Sequence, residues 1–265
     1  MVKEFENKEY WAVILGGSSG LGLASAIKLA AHGMHICIIH KNTRTELAEI
    51  EASFSEIKQL GVKLISFNID LLNIEKSTAA INELAAQLGH DGSIRCLLHS
   101  VARGNLKPVQ SEQTPALTTE DFAFTINNMA ISLYQWTKEL FGKQLFAEDA
   151  RVLSFTSEGS KKSWKNYAGV SAAKAALEAI TRSIALEMAP YGIRANCIQP
   201  GITETRSLKL IPGHEELISA NLRRNPFKRL TTPQDVANVV YLLCKDEAAW
   251  INGAVIPVDG GEQIN

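Results

Sequence analysis

Cysteine is scarce in this sequence, with four in 265 residues, and Cys37, Cys96, Cys197 and Cys244 each stand alone inside an apolar run. There is no C-x2-C pair and no histidine at ligand spacing, which argues against a disulfide framework or a metal site and predicts reduced, buried thiols. Neither sign of charge is in excess. With 27 Lys and Arg against 28 Asp and Glu, the net charge of -1 offers no broad field for nucleic acid or an anionic membrane. No apolar run approaches the roughly 18 residues that a membrane-crossing helix needs, and the first residues, MVKEFENKEYW, lack the apolar stretch of a secretion signal. We therefore expect a cytoplasmic protein whose partners are small molecules or other proteins. Repeats, low-complexity tracts and linkers are missing as well, and 46% hydrophobic residues are ample for one large core. Residues 1–265 read as a single domain.

What is present is an alternation. Short runs rich in Val and Ile, at 11–15, 35–40, 62–67, 94–99, 151–156, 193–198 and 254–258, are separated by helical patterns such as GLGLASAIKLAAHG and TPQDVANVVYLLC. That rhythm is the signature of an α/β fold, a doubly wound parallel sheet of seven strands flanked by helices. Thr232, Pro233 and Asp235 form a capping-box start for the last helix. Only 201–231 breaks the pattern. It has no clear strand and reads as an insertion or substrate lid.

Between the first strand and the first helix, Gly16, Gly20 and Gly22 give a G-x3-G-x-G spacing. Glycines there let the backbone approach a pyrophosphate, while the helix N-terminus offers free N–H groups and a partial positive charge. An NAD site usually ends its second strand with an acid that bonds the ribose 2′-hydroxyl. Here the chain reads His40, Lys41, Asn42, Thr43, Arg44 instead. Lys41 and Arg44 would meet a 2′-phosphate with cations, which favours NADP(H) over NAD(H). Asp70, after the third strand, can accept from an adenine amino group or cap the next helix.

The glycine loop, HSVARG after the fourth strand, SFTS after the fifth, Tyr167 and Lys174 as Y-x6-K, NCIQPGITET and VIPVDGG follow one another along the chain. In this order they resemble the short-chain dehydrogenase/reductase family over residues 10–262. The Y-x6-K spacing and SAAKAALEAITRSIALEMAPYGIRAN look like its enoyl-acyl-carrier-protein reductases, and YAGVSAAKAALEA resembles their divergent NADPH-using branch. The resemblance implies a Rossmann-like fold, a homo-tetramer and an acyl thioester substrate, with acyl carrier protein a candidate partner. It makes Tyr167 the proton donor, or the hydrogen-bond donor to a developing oxyanion. Lys174 would hold the nicotinamide ribose while its charge favours the tyrosinate. Seven residues turn a helix by about 700°, close to two turns, so the pair would share one face. Ser157 matches the substrate-binding serine, and Asn128, rather than Asn127, matches the relay asparagine of the fourth helix. Cofactor contacts are implied at Gly16, Ser18, Ser19, Gly20, Leu21 and Gly22, at Ser100, Val101 and Ala102, and at Pro200, Gly201, Ile202 and Thr205. His99 receives no chemical role. Arg206, Lys209, Arg223, Arg224, Lys228 and Arg229 are either a landing surface for an acidic carrier protein or a solvated face. Ser157 keeps a 3-oxoacyl or general carbonyl reductase open, and a catalytically silent nucleotide-binding regulator is a third reading.

Overall fold

The computed structural model describes residues 3–211 and 213–264. In chain order its elements are β1 (Tyr10–Leu15), α1 (Gly20–Ala31), β2 (His35–His40), α2 (Leu47–Gln59), β3 (Leu64–Asn68), α3 (Ile74–Leu88) and β4 (Ser93–His99). Then come α4 (Thr119–Ile126), α5 (Ser132–Gly142), β5 (Phe146–Phe155), α6 (Ala168–Glu187) and β6 (Ile193–Pro200). The chain closes with α7 (Arg206–Lys209), α8 (His214–Arg224), α9 (Pro233–Cys244) and β7 (Val255–Val258). The strands form one parallel sheet in the order β3-β2-β1-β4-β5-β6-β7. The order reverses between β1 and β4, and this opens a crevice beyond their carboxyl ends, where ligands of such sheets bind.

Strands covered on both faces read as apolar runs. β1 is apolar and almost wholly buried. β4 to β6 carry buried polar residues such as Arg95, Arg151 and Asn196 among their apolar ones, and the edge strands β3 and β7 are only partly buried. Trp11, Val13 and Leu15 pack on the side of α3, α5 and α6, against Leu84, Leu133 and Leu177. Ala12 and Ile14 face the other way, toward Leu29 of α1, Phe54 of α2 and Val240 of α9. Each large side chain buried in this way contributes roughly 1.5–3 kcal/mol. All four cysteines are buried within these layers.

The expected strands appear with small shifts, except that β5 begins at Phe146 rather than near 151. The added residues include Glu148 and Asp149, and Asp149 is neutralised where it stands. Its carboxylate accepts from Arg95, Arg151 and Arg194. The same arginines cap the end of α9: Arg95 donates to the Cys244 carbonyl at 2.9 and 2.8 Å, and Arg151 to that of Leu243 at 2.9 Å. The capping box at Thr232 and Asp235 forms as expected. A π-helical turn, Asn127–Ile131, joins α4 to α5.

The stretch without a strand signal leaves the sheet after β6 and returns to its starting point. Thr203 bridges Thr231, and the Thr231 N–H donates to the Ile202 carbonyl at 3.1 Å. Within this excursion the chain forms α7, which lines the crevice through Arg206, Ser207 and Leu208, and α8, whose Arg224 bonds Glu158 and Glu262 of the lining.

Candidate active site

The glycine loop is built to let backbones touch. Gly16 has φ +87°, and a Cβ there would lie 2.3 Å from the Ser100 carbonyl oxygen. A Cβ on Gly22 would lie 2.2 Å from the oxygen of Gly16. Gly22 thus sets the spacing of loop and helix and does not line the cavity, whereas Gly16, Ser18, Ser19, Gly20 and Leu21 do. The cavity, of about 700 Å³, runs from this loop past Ser100, Val101 and Ala102 to Lys174 and Tyr167. No acid stands in the first turn of α1. A glycine-rich cradle without acidic side chains at a helix N-terminus fits the pyrophosphate of a dinucleotide.

At the adenosine end the expected residues divide. Lys41 lines the cavity, and its Nζ donates to Asp70 Oδ2 at 2.5 Å. Arg103, which the motifs did not single out, reaches the same oxygen at 3.4 Å. Asp70 Oδ1 accepts from the Leu72 N–H at 3.0 Å. The carboxyl is lowered against the cost of its burial by the Lys41 bond, that of Leu72, and the charges of Lys41 and Arg103. Asp70 does not cap α3; Asn73 does, accepting from the Lys76 N–H. Arg44 is exposed on the turn before α2 and does not itself line the cavity, although Glu49, Ile50 and Ser53 of α2 beyond it do.

Tyr167 is not inside α6 but at its N-cap, where its carbonyl accepts the first helical bond from Ser171 at 2.8 Å. Asn166 places it there with φ +62°, a left-handed conformation that asparagine tolerates. Two neighbours hold the ring. Trp164 meets it edge-on at 4.9 Å, and a Cβ on Gly159 would stand 2.7 Å from its Cε1. Burial pushes the phenol above its ordinary value, and the hydrogen bond with Ser157 pulls part of the way back. The hydroxyl therefore keeps its proton at neutral pH, the state a donor requires. Lys174 is buried one side of the cavity away, with Nζ 2.7 Å from the Phe155 carbonyl. Burial lowers it to about 8, with Cys197 and Glu178 opposing.

Asn128 lies behind this wall, outside the cavity lining, in the π turn. Its Nδ2 donates to the Phe124 carbonyl at 2.8 Å, and its own carbonyl accepts from Ser132 Oγ at 2.7 Å. Ser132 Oγ is 2.8 Å from His99 Nε2. Since the serine proton goes to Asn128, His99 carries its hydrogen on Nε2. Burial, aided by the Lys174 charge, lowers the imidazole to about 3, so His99 stays neutral.

Pro200, Gly201, Ile202 and Thr205 all line the cavity, with Glu158 and Glu262 as acidic neighbours that the motifs missed. Beyond Tyr167 the lining turns apolar: Leu106, Met129, Trp164, Val170, Leu208 and Ile211. The basic cluster of the excursion is dispersed. Arg206 pairs with Glu46 and Glu49, Lys209 with Glu204, Arg224 with Glu158 and Glu262, and Arg229 with Asp235. Lys228 donates to the Arg223 carbonyl at 2.8 Å. Charges engaged at home make a weak landing surface for an acidic carrier. Among the described residues no His, Cys, Asp and Glu group is arranged to hold a metal, and no helix is long and apolar enough to cross a membrane.

Known proteins agree with this geometry. The chain is 28% identical over 257 residues to the uncharacterized oxidoreductase YjdA of Bacillus subtilis (strain 168), covering 96% of this chain and 97% of that one. It is 27% identical over 257 residues to the 1-cyclohexenylcarbonyl-CoA reductase of Streptomyces collinus, covering 96% and 86%. A dehydrogenase/reductase from Sinorhizobium meliloti 1021 has the same fold, with a TM-score of 0.83 at 25% identity over 98% of this chain and 97% of that one. Residues 16–263 match the family model described as enoyl-(acyl carrier protein) reductase. With its glycine cradle, buried lysine and capped tyrosine, the chain belongs to the short-chain dehydrogenase/reductase family and is an NAD(P)-dependent oxidoreductase.

Proposed function

We propose that the protein is an NADPH-dependent reductase of the C2=C3 bond in 2-enoyl thioesters. One observation carries the reading: Tyr167 stands at the N-cap of α6, and Val170, where a carbonyl reductase of this family would place its tyrosine, is buried against Met129 and Ala173. The bound nicotinamide supplies a hydride, which in an enoyl thioester adds to C3 and leaves charge on an oxygen two carbons away, but in a ketone adds to the carbon bearing the oxygen. A donor for the thioester oxygen belongs further from the cofactor, and the N-cap position displaces it in that sense. Tyr167 gives the hydrogen bond and Ser157 orients its hydroxyl. Lys174 holds the ribose, and Lys41 meets the 2′-phosphate. The apolar end beyond Tyr167 suits an acyl chain, and the excursion over 203–231 acts as its lid. A relative named for reducing a conjugated acyl-CoA supports the same chemistry.

One feature favours a second reading, reduction of 3-oxoacyl thioesters. The Ser157–Tyr167 hydrogen bond is the pairing that ketone substrates use in this family. The intact tyrosine and lysine speak against a silent regulator. NADPH oxidation with crotonyl-CoA and with acetoacetyl-CoA decides between the two. We expect kcat/KM at least tenfold higher for the enoyl substrate, about 1.4 kcal/mol in the transition state. A faster oxoacyl reaction would reject the enoyl assignment.

A further inference from the structure

The lid reaches the site through a charged contact for which the motifs give no sign. Arg224, the last residue of α8, directs one nitrogen, Nη2, to two carboxylates: Glu158 Oε1 at 3.0 Å and Glu262 Oε1 at 2.6 Å. The Glu158 side chain is 10% exposed and that of Glu262 only 2%. Carboxylates so placed are costly unless a cation stands with them. Lys162 adds a second cation to Glu158 at 2.9 Å, which makes the set neutral.

Each carboxylate belongs to a different wall of the cavity. Glu158 directly follows Ser157, and its turn packs through Gly159 on the ring of Tyr167. Glu262 uses its second oxygen to accept the N–H of Ile202 at 3.1 Å. A Cβ on Gly201 would stand 2.6 Å from that oxygen, so the carboxylate is pressed against the segment where the nicotinamide is expected. The walls with the proton donor and the cofactor seat follow the paired strands β5 and β6, and beyond the strand ends one guanidinium nitrogen, carried by α8, bonds a carboxylate of each.

We infer that Arg224 is a positioning residue: by tying Glu158 to Glu262 it fixes the separation of Tyr167 from the nicotinamide seat. The lid then does more than cover an acyl chain, because it completes the reacting geometry. The inference rests on the chain being a nicotinamide-dependent reductase and holds whichever bond is reduced. A misplacement of about 1 Å at a reacting centre can cost on the order of 10²-fold, so the loss should fall on kcat rather than on substrate binding.

The test uses Arg224→Gln, Arg224→Lys and Glu262→Gln in the full chain. Each is followed by NADPH affinity, hydrogen exchange of 155–167 and 200–231 with and without NADPH, and turnover with protiated and 4-deuterated NADPH on the better of the two thioesters. In Arg224→Gln we expect NADPH affinity within threefold of wild type, kcat down at least tenfold with a larger primary isotope effect, and faster exchange at both walls. Arg224→Lys should recover part of kcat. A raised KM with unchanged kcat would reduce the lid to a cover and overturn the inference, as would a kcat loss explained wholly by weaker NADPH binding. If Arg224→Gln does not fold, the same kcat-specific loss must appear in Arg224→Lys and Glu262→Gln, and wild-type kcat in both overturns it. If wild type reduces neither thioester, the substrate reading fails separately and exchange decides: unchanged protection at both walls in Arg224→Gln rejects the inference.

Discussion

The two ends of the crevice are held by different forces. Beneath the cofactor, Gly16, Gly22 and Ser100 approach backbone to backbone, with no room for a methyl group and no charged side chain. Over the substrate, the excursion is tied down by ion pairs, Arg206 to Glu46 and Glu49 on one flank and Arg224 to Glu158 and Glu262 on the other. Steric closeness cannot be relaxed without unfolding the loop, whereas ion pairs can part and re-form. The floor is thus suited to hold one geometry, and the cover to open for exchange of substrate and product. Even within the cover the two ties differ. The Arg206 side chain and its partners are 58%, 33% and 72% exposed, so that tie is worth little.

The comparison can be broken at several points. Tyr167→Phe, in the fixed part of the wall, should lower kcat by about 10² to 10⁴, the usual worth of a positioned donor, with NADPH affinity kept; titration calorimetry and turnover together check this. Gly16→Ala should cost about 100-fold in NADPH affinity, about 2.7 kcal/mol, since its methyl meets a carbonyl that cannot move away. Lys41→Ala should raise the KM for NADPH roughly tenfold or more and leave NADH nearly unchanged, the worth of one charge-assisted bond of about 1.5–3 kcal/mol. Arg44→Ala, by contrast, should change neither. For Lys174 the sign runs with the ammonium: a folded value depressed to about 8 from 10.5 means that charge is lost as pH rises through about 8. The kcat/KM for NADPH should therefore fall above that pH, and a profile flat to pH 9.5 would remove the charge from cofactor binding. Smallest of all, Arg206→Gln should shift kcat and KM by no more than about fivefold, in keeping with a surface pair of 0.2–1 kcal/mol.

Much of the sheet was legible because most of its strands are largely buried and so carry short apolar runs. The exception was the start of β5, where Asp149 brings a charge into the strand and is neutralised by neighbouring Arg151 and by the remote Arg95 and Arg194. The glycine loop and the tyrosine–lysine pair were legible as well, since their chemistry depends on spacing along the chain. Arg103, Glu158 and Glu262 were not. Their partners lie 33, 66 and 38 residues away in Asp70, Arg224 and Arg224 again, and no local pattern marks such a pairing. Composition after β2 predicts a basic loop, but only the backbone decides that Lys41 lines the crevice while Arg44 stands exposed at its edge. The basic cluster is taken up by a mixture of partners: remote acids hold Arg206 and Arg224, and nearby ones hold Lys209 and Arg229.

The π turn between α4 and α5 has a consequence for how this protein can change over evolutionary time. A π turn holds one residue more than the α-helix around it. In a plain α-helix the gain or loss of one residue rotates one flank against the other by about 100°. The π turn takes up its extra residue locally, so Asn128 and Ser132 reach His99 while Trp136 and Leu140 stay in the core. The segment is therefore the place in this helix pair where a change of length by one residue is absorbed rather than passed on to the core.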